Sequence, residues 1–316
     1  MRYNASSTTL QTRDCPAGDH PMPDRPTYCF LIGMGRCGST LLHEVLARHP
    51  DVGFISNLED KLPGVRILGR WNRAVYQRMP AQFTRKGRLR YAPSEGWHVL
   101  DRQISPILST PVRDLRADDA TPWLSKRFRE FFQSRADAQG TAVFLHKFTG
   151  WPRTGFVRQI LPDAKFIHIV RDGRAVTNSV LQTSWWRGWE GPQRSLFGPL
   201  PQAYEAEWEA SGRSFVLLAG LEWKVLMDAF ESAEREVDPG SWLTVRYEDA
   251  IADPRRWFGG MLEFLGLEWT PAFERGFRRH RFTSSRAQAF RTDLDPAALR
   301  LLEESLAIHL KRYGYD

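Results

Sequence analysis

The apolar positions of this chain fall in short continuous runs, and most runs are followed by an apolar stripe at helical spacing. Tyr28–Ile32 is the first run and ends at Gly33. Beyond a glycine-rich stretch, Leu41, Leu42, Val45 and Leu46 recur as one face of a helix, which the His49-Pro50-Asp51 triplet stops. Val52–Ile55 reads as a second strand. Ala142–Leu145, Phe166–Val170 and Trp242–Val245 are three more runs, followed by helical patterns at roughly 153–161, 173–183 and 254–265. Continuous runs suit strands buried on both faces, and strands alternating with helices predict an α/β fold, a single three-layer domain around a central parallel sheet. Trp123, Leu124, Phe128, Phe131 and Phe132 mark an amphipathic helix, residues 202–235 read mostly as one long helix, and 297–312 as the last.

Two segments lack this pattern. Residues 1–26 are polar and rich in Pro, Ser and Thr, which predicts a flexible leader ahead of a domain spanning 27–316. Residues about 60–120 are broken by turn residues and read as an irregular insertion. Its 70–102 tract carries many arginines against only Glu95 and Asp101. No apolar run approaches the ~20 residues that span a bilayer, and no signal-peptide core is present. Three cysteines, Cys15, Cys29 and Cys37, have neither disulfide-framework nor zinc spacing. These features predict a cytoplasmic protein. The 42% hydrophobic and 26% charged composition is that of a soluble globular chain. A formal charge of +7 with pI ≈ 9.5 favours an anionic ligand without choosing its kind.

The glycine-rich stretch narrows that choice. Against the phosphate-loop pattern G-x-x-x-x-G-K-[ST], Gly33, Gly38 and Thr40 fall in place, but Ser39 stands where the lysine belongs. A glycine turn entering a helix presents backbone N–H groups and a positive dipole end to an anion, and Gly35 and Gly38 permit close approach. Ser39 and Thr40 add hydroxyl donors, and Arg36 a planar fork suited to a tetrahedral oxyanion. Without the lysine that reaches the β/γ-phosphates, triphosphate hydrolysis loses its main charge stabilisation. Further on, Val170-Arg171-Asp172-Gly173 puts Arg171 directly after a buried strand. Asp172 reads as a helix cap, and Ser179 lies about two turns along that helix.

The two motifs together, "GMGRCGSTLL" and "VRDGRAVTNS", resemble the sulfotransferases that use 3′-phosphoadenosine 5′-phosphosulfate (PAPS), most closely the bacterial relatives of the tyrosylprotein sulfotransferase branch. The likeness covers roughly 28–55, 142–184 and 242–267. It implies a P-loop NTPase-like sulfotransferase fold, in which Gly35, Arg36, Cys37, Gly38, Ser39 and Thr40 grip the 5′-phosphosulfate while Arg171 and Ser179 bind the 3′-phosphate. Tyr247 corresponds to a nucleotide-contacting tyrosine. Lys147 matches a lysine that precedes the arginine motif and would stabilise the bridging oxygen. Arg36 joins it on the phosphosulfate. Three positions depart from the family: Gly35 replaces Pro, Cys37 replaces a hydroxyl residue, and Thr183 stands where the tyrosylprotein branch has a basic residue. The basic loop Arg281–Arg291, with Ser285 and Arg286, is a candidate to close over the nucleotide.

The implied reaction moves a sulfuryl group in line from PAPS to a hydroxyl or amine acceptor, leaving PAP. It handles no polyphosphate, so neither a Walker lysine nor a metal is required. The acceptor needs a general base; Glu59 is the choice from the resemblance, with Asp60, His98 and His146 as alternatives. Trp185, Trp186 and Trp189 either wall the acceptor site or pack in the core. Peptide tyrosine, carbohydrate, lipid and small molecule all remain open as acceptors, and oligomeric state is not legible. Two rival readings stand: a P-loop kinase or NTPase, and a non-catalytic binder of RNA or another anionic polymer through the 70–102 tract.

Overall fold

The computed structural model describes residues 26–79, 91–284 and 287–315. Five parallel strands form one sheet in the order β2-β3-β1-β4-β5: β1 is Thr27–Gly33, β2 Val52–Gly53, β3 Val143–Thr149, β4 Lys165–Val170 and β5 Trp242–Arg246. The first apolar run is thus central, hydrogen-bonded to β3 and β4 on its two sides. Side chains along it alternate between two cores. Phe30 and Ile32 enter one with Phe166 and Val170; Cys29 and Leu31 enter the other with Ile167 and Ile169. This is why the strands read as unbroken apolar runs.

The larger core lies under the helices Pro122–Gln139, Gly173–Leu181, Phe215–Glu236 and Pro296–Arg312; the smaller lies under Ser39–Leu46, Pro254–Phe264 and Pro271–Phe277. Helices on both faces complete the three-layer α/β architecture. Phe30 stacks on Phe148 at 5.6 Å and meets Phe132 edge-on at 5.5 Å. Truncating so buried a ring costs about 3–5 kcal/mol.

Three expectations shift. The long helix over 202–235 is two, Gln202–Ala210 and Phe215–Glu236, because Gly212 and Arg213 turn left-handed (φ 70° and 64°) and the Ser214 hydroxyl caps the second. The stretch 60–120 is less irregular than it reads: it forms short helices at Asn57–Lys61, Asn72–Arg78 and Trp97–Gln103, although part of its basic tract (80–90) lies outside the described residues. Lys147 does not follow β3 but sits inside it, opposite Leu31. The expected 1–26 leader lies outside the described residues except for Pro26.

Candidate active site

At the carboxyl end of β1 the chain turns through the glycine loop into the helix Ser39–Leu46. Gly38 is the N-cap of that helix, with φ 93° and no side chain capping it. Leu41 N donates back to the Gly38 carbonyl at 3.0 Å, while the N–H groups ahead of it, on Ser39 and Thr40, have no side-chain cap and suit an external acceptor. The space beside Gly38 is also taken: a Cβ there would lie 2.2 Å from the Tyr247 ring. Arg36 holds a left-handed conformation (φ 72°) that costs a non-glycine residue about 1–3 kcal/mol. Two contacts fix it. Arg171 Nη1 donates to the Arg36 carbonyl oxygen at 2.9 Å, and Arg36 Nε donates to Ser179 Oγ at 2.9 Å.

Cys37 turns its sulfur away from the loop's open side and into the smaller core, against Gly33, where an added Cβ would be 2.9 Å from Sγ. Burial raises its thiol pKa above the usual range. Only its backbone is available to an anion, which accounts for the missing hydroxyl: the side chain is a core residue. Ser39 is buried, and Thr40 is exposed at the loop's end.

Beside the loop a cavity of about 470 Å³ is lined by Arg36, Arg171, Asn178, Ser179, Tyr247 and Thr283, with further loop residues. The Arg171 guanidinium carbon stands 5.1 Å from the centre of the Tyr247 ring. Asp172 caps the Gly173–Leu181 helix through Arg174 N, as the sequence predicts. Ser285 and Arg286 lie outside the described residues, although Ala287 lines this cavity.

On the other side of Arg36 a second cavity, about 580 Å³, is lined by Gly35, Ser39, Thr40 and Lys147 at one end. Trp97, Trp151, Trp185, Leu196 and Phe197 line it as well, together with polar residues that include Glu95, Asp101, Ser109 and Thr110. Lys147 Nζ donates to Thr40 Oγ1 at 3.0 Å and lies 3.3 Å from Glu95 Oε1. The same carboxylate accepts from Thr149 Oγ1 at 2.9 Å and from Trp97 Nε1 at 2.7 Å. Below it, buried Arg153 donates to the carbonyls of Leu108, Thr149 and Trp151 and ties these walls together. Burial lowers its pKa to about 10.

Glu95 was not singled out by the sequence. It sits in a turn, "PSEGW", with no periodicity or motif to mark it; only the fold brings it to Lys147. Glu59, by contrast, is 1% exposed and outside both cavities. Its carboxylate accepts from Arg135 Nε at 2.7 Å and Asn72 Nδ2 at 2.7 Å. Asp60 caps the Trp97–Gln103 helix by accepting from Val99 N at 3.1 Å, and His98 faces solvent beside it. His146 is fully buried among Phe30, Phe132 and Phe148, with neither ring nitrogen hydrogen-bonded. The tryptophan cluster divides: Trp185 edges the second cavity over Gly35, Trp186 is a core residue bonded to Glu222 (2.9 Å), and Trp189 is exposed.

A glycine loop and a strand-end arginine with two flanking cavities form a site suited to an anionic ligand at the end of a parallel sheet. Residues 29–271 match the profile of the Sulfotransferase family, and the chain belongs to that family. It is 24% identical, over 91% of its own length and 75% of theirs, to the omega-hydroxy-beta-dihydromenaquinone-9 sulfotransferases Stf3 of Mycobacterium bovis and Mycobacterium tuberculosis. Its fold is that of the sulfotransferases STF1 from M. tuberculosis (TM-score 0.51, 19% identity, 85% of this chain and 76% of that one) and STF9 from M. avium (TM-score 0.51, 16%, 94% and 78%). Sulfuryl transfer is therefore its chemistry, and neither the NTPase nor the polymer-binding reading is favoured. Among the described residues no helix is long and apolar enough to cross a membrane.

Proposed function

We propose that the chain transfers the sulfuryl group of PAPS to a hydroxyl on an acceptor with an apolar, aromatic-compatible body. The observation that carries this reading is the pair of cavities meeting at Arg36, with cations toward the donor and a lysine–carboxylate pair toward the acceptor. Tyr247, Arg171, Ser179 and Arg36 suit the nucleotide and its 3′-phosphate. The loop amides, Ser39 and Thr40 suit the 5′-phosphosulfate. Arg36 donates to Ser179 and lines both cavities, which supports a part for it on the nucleotide side as well as on the phosphosulfate.

PAPS supplies an activated sulfur whose bridging oxygen leaves with the nucleotide. Lys147, already against Thr40, exchanges Glu95 for that oxygen and stabilises the charge it gains. Glu95 Oε1, released from Lys147, accepts the proton of the acceptor hydroxyl as its oxygen bonds to sulfur; the S–O bond to the nucleotide breaks with the electron pair on PAP. Thr149 and Trp97 hold Glu95 in place through both of its oxygens. We therefore place the general base at Glu95 and give Glu59 a structural role.

Trp97, Trp151, Trp185, Leu196 and Phe197 favour a hydroxyl on an apolar or aromatic body over a bare carbohydrate. The hydroxylated menaquinone named for the Stf3 relatives fits that class. Cys29 and Cys37 are both free and buried, which suits the cytoplasm.

Thermal unfolding with and without PAP tests the donor site. Binding at a hundredfold excess over Kd adds about 2.7 kcal/mol, and an unmoved transition at saturating PAP defeats the proposal. Transfer of labelled sulfate from PAPS to phenolic and isoprenoid alcohols then tests the acceptor class; sulfation of simple sugars alone would remove the apolar-acceptor part.

A further inference from the structure

A third cavity, about 710 Å³, shares no lining residue with the other two. Among the described residues four arginines line it, Arg70, Arg102, Arg127 and Arg135, with Glu130 the one carboxylate. Two of the four are already committed: Arg135 Nε is paired with Glu59 at 2.7 Å, and Arg127 donates through Nε and Nη2 to the Gln103 carbonyl at 3.0 and 2.6 Å. Arg70 and Arg102 have no hydrogen-bond or carboxylate partner among the described residues. Glu130 is exposed and turned to Lys126, at 3.9 Å.

Some exposed arginines elsewhere, such as Arg113, Arg213 and Arg278, are matched to a carboxylate, and others, such as Arg78, Arg235 and Arg256, are not matched to one among the described residues. Arg70 and Arg102 differ in lining one concavity together with two further arginines. Unmatched guanidinium groups gathered around a concavity raise the local positive potential, because the low-dielectric walls focus it. Planar forks are suited to phosphate and sulfate oxygens. A single phosphate leaves most of this volume empty, and among the described residues an apolar ligand finds only Phe131, Pro63 and Ala138 as partners.

We infer that this cavity is a second anion site, separate from the donor and acceptor pockets, that takes a small molecule bearing at least two phosphate or sulfate charges through Arg70 and Arg102. Arg127 supplies its remaining Nη1 from the side. The floor is rigid, since the Glu59–Arg135 pair is buried beneath it and Gln103 Nε2 is tied to the Pro63 carbonyl at 2.7 Å.

Calorimetric titration of the full chain with sodium pyrophosphate, with and without saturating PAP, tests the site. The expected result is saturable binding that persists when PAP is present and is weakened about tenfold in the double variant Arg70→Ala/Arg102→Ala, roughly 1.4 kcal/mol. PAP affinity and the unfolding temperature stay at the starting values in that variant. A control that removes two matched arginines, Arg213→Ala/Arg278→Ala, lowers net charge equally and should leave pyrophosphate binding unchanged. Loss of binding in the control as well would reduce the effect to overall charge and overturn the site. So would equal binding by the starting protein and the Arg70/Arg102 variant, or no saturable heat at all. Because the comparison between variants is read without PAP too, failure of the donor-site proposal leaves it intact.

Discussion

The two sides of the active site are built from different material. The side proposed for the donor centres on two contiguous segments, the loop at 33–40 and the helix start at 171–179, closed by Tyr247, Thr283, Ala287 and Ala289, and it offers backbone N–H groups and arginine forks. The acceptor side is assembled from four separate stretches around residues 95–101, 109–111, 147–153 and 185–197, and depends on single side chains. Glu59 and Glu95 show what that difference means. Both belong to the 60–120 region or its border; the Glu59 carboxylate holds two partners and that of Glu95 three. One is sealed under a helix against Arg135; the other opens onto a cavity beside Lys147. A carboxylate is set to move a proton by what it faces, and its place in sequence says little about that.

Exchanging the two acids breaks the comparison most directly. Glu95→Gln should lower turnover by about 10²–10⁴-fold with little loss of stability. Glu59→Gln should leave Arg135 uncompensated and cost about 3–5 kcal/mol of stability, while the folded fraction keeps its turnover. Paired measurements of kcat and denaturant midpoint decide it. If Glu95→Gln turns over normally and Glu59→Gln does not, the roles are reversed.

Lys147→Ala should cost about 10²-fold or more in turnover with PAP affinity much less affected, since the contact belongs to the transition state. Equal losses in PAP binding and turnover would make Lys147 a donor-binding residue instead.

The platform under both sides carries its own pH dependence. His43 and His168 are held neutral by burial, with pKa values lowered to about 3, and His146 is lowered well below its ordinary value. Unfolded chains bind these protons below pH ~6.5 and the folded chain does not, so each histidine's share of stability is complete above that pH. It is lost as pH falls toward 3, by about 1.4 kcal/mol per pH unit. Glu222 and Asp114, raised by burial to about 7 and about 6, oppose this trend. The clean test is therefore His168→Phe, which keeps the stack on Phe230 at 4.2 Å. Its stability should fall less between pH 7 and 5 than that of the starting protein. An unchanged slope would show that His168 titrates normally.

The smallest effect belongs to the donor side. Ser179→Ala removes one acceptor of Arg36 Nε and should weaken PAP by about tenfold or less, 0.5–1.5 kcal/mol, against a larger loss for Arg171→Ala. Equal losses would place both residues on the same phosphate contact.

The same asymmetry governs what the sequence makes legible. Strands buried on both faces leave continuous apolar runs, so the sheet could be placed from pattern alone, and the loop glycines announce themselves because their conformations admit few other residues. Glu95 had no such mark. Its partners Lys147, Thr149 and Trp97 are set by the register of β3 and by a short helix, and such long-range pairings leave no period in the chain. Glu59 attracted attention because it lies where the family has a glutamate, yet burial beside Arg135 and Asn72 turns it into a brace. Cys37 was misleading for a related reason: a loop residue next to a ligand site need not point at it.

The Tyr247 ring fills the space a side chain would occupy on Gly38, although the two residues stand at opposite ends of the fold's sequence. The loop's shape is therefore completed by the residue that directly follows the last strand of the sheet, the first of the helix Tyr247–Ala252. A chain emerging from the ribosome can close β1 onto β3 and β4, yet its donor pocket lacks one wall until β5 docks and Tyr247 arrives. If this pocket holds the nucleotide as proposed, a chain lacking the segment from Tyr247 onward has no finished pocket for it.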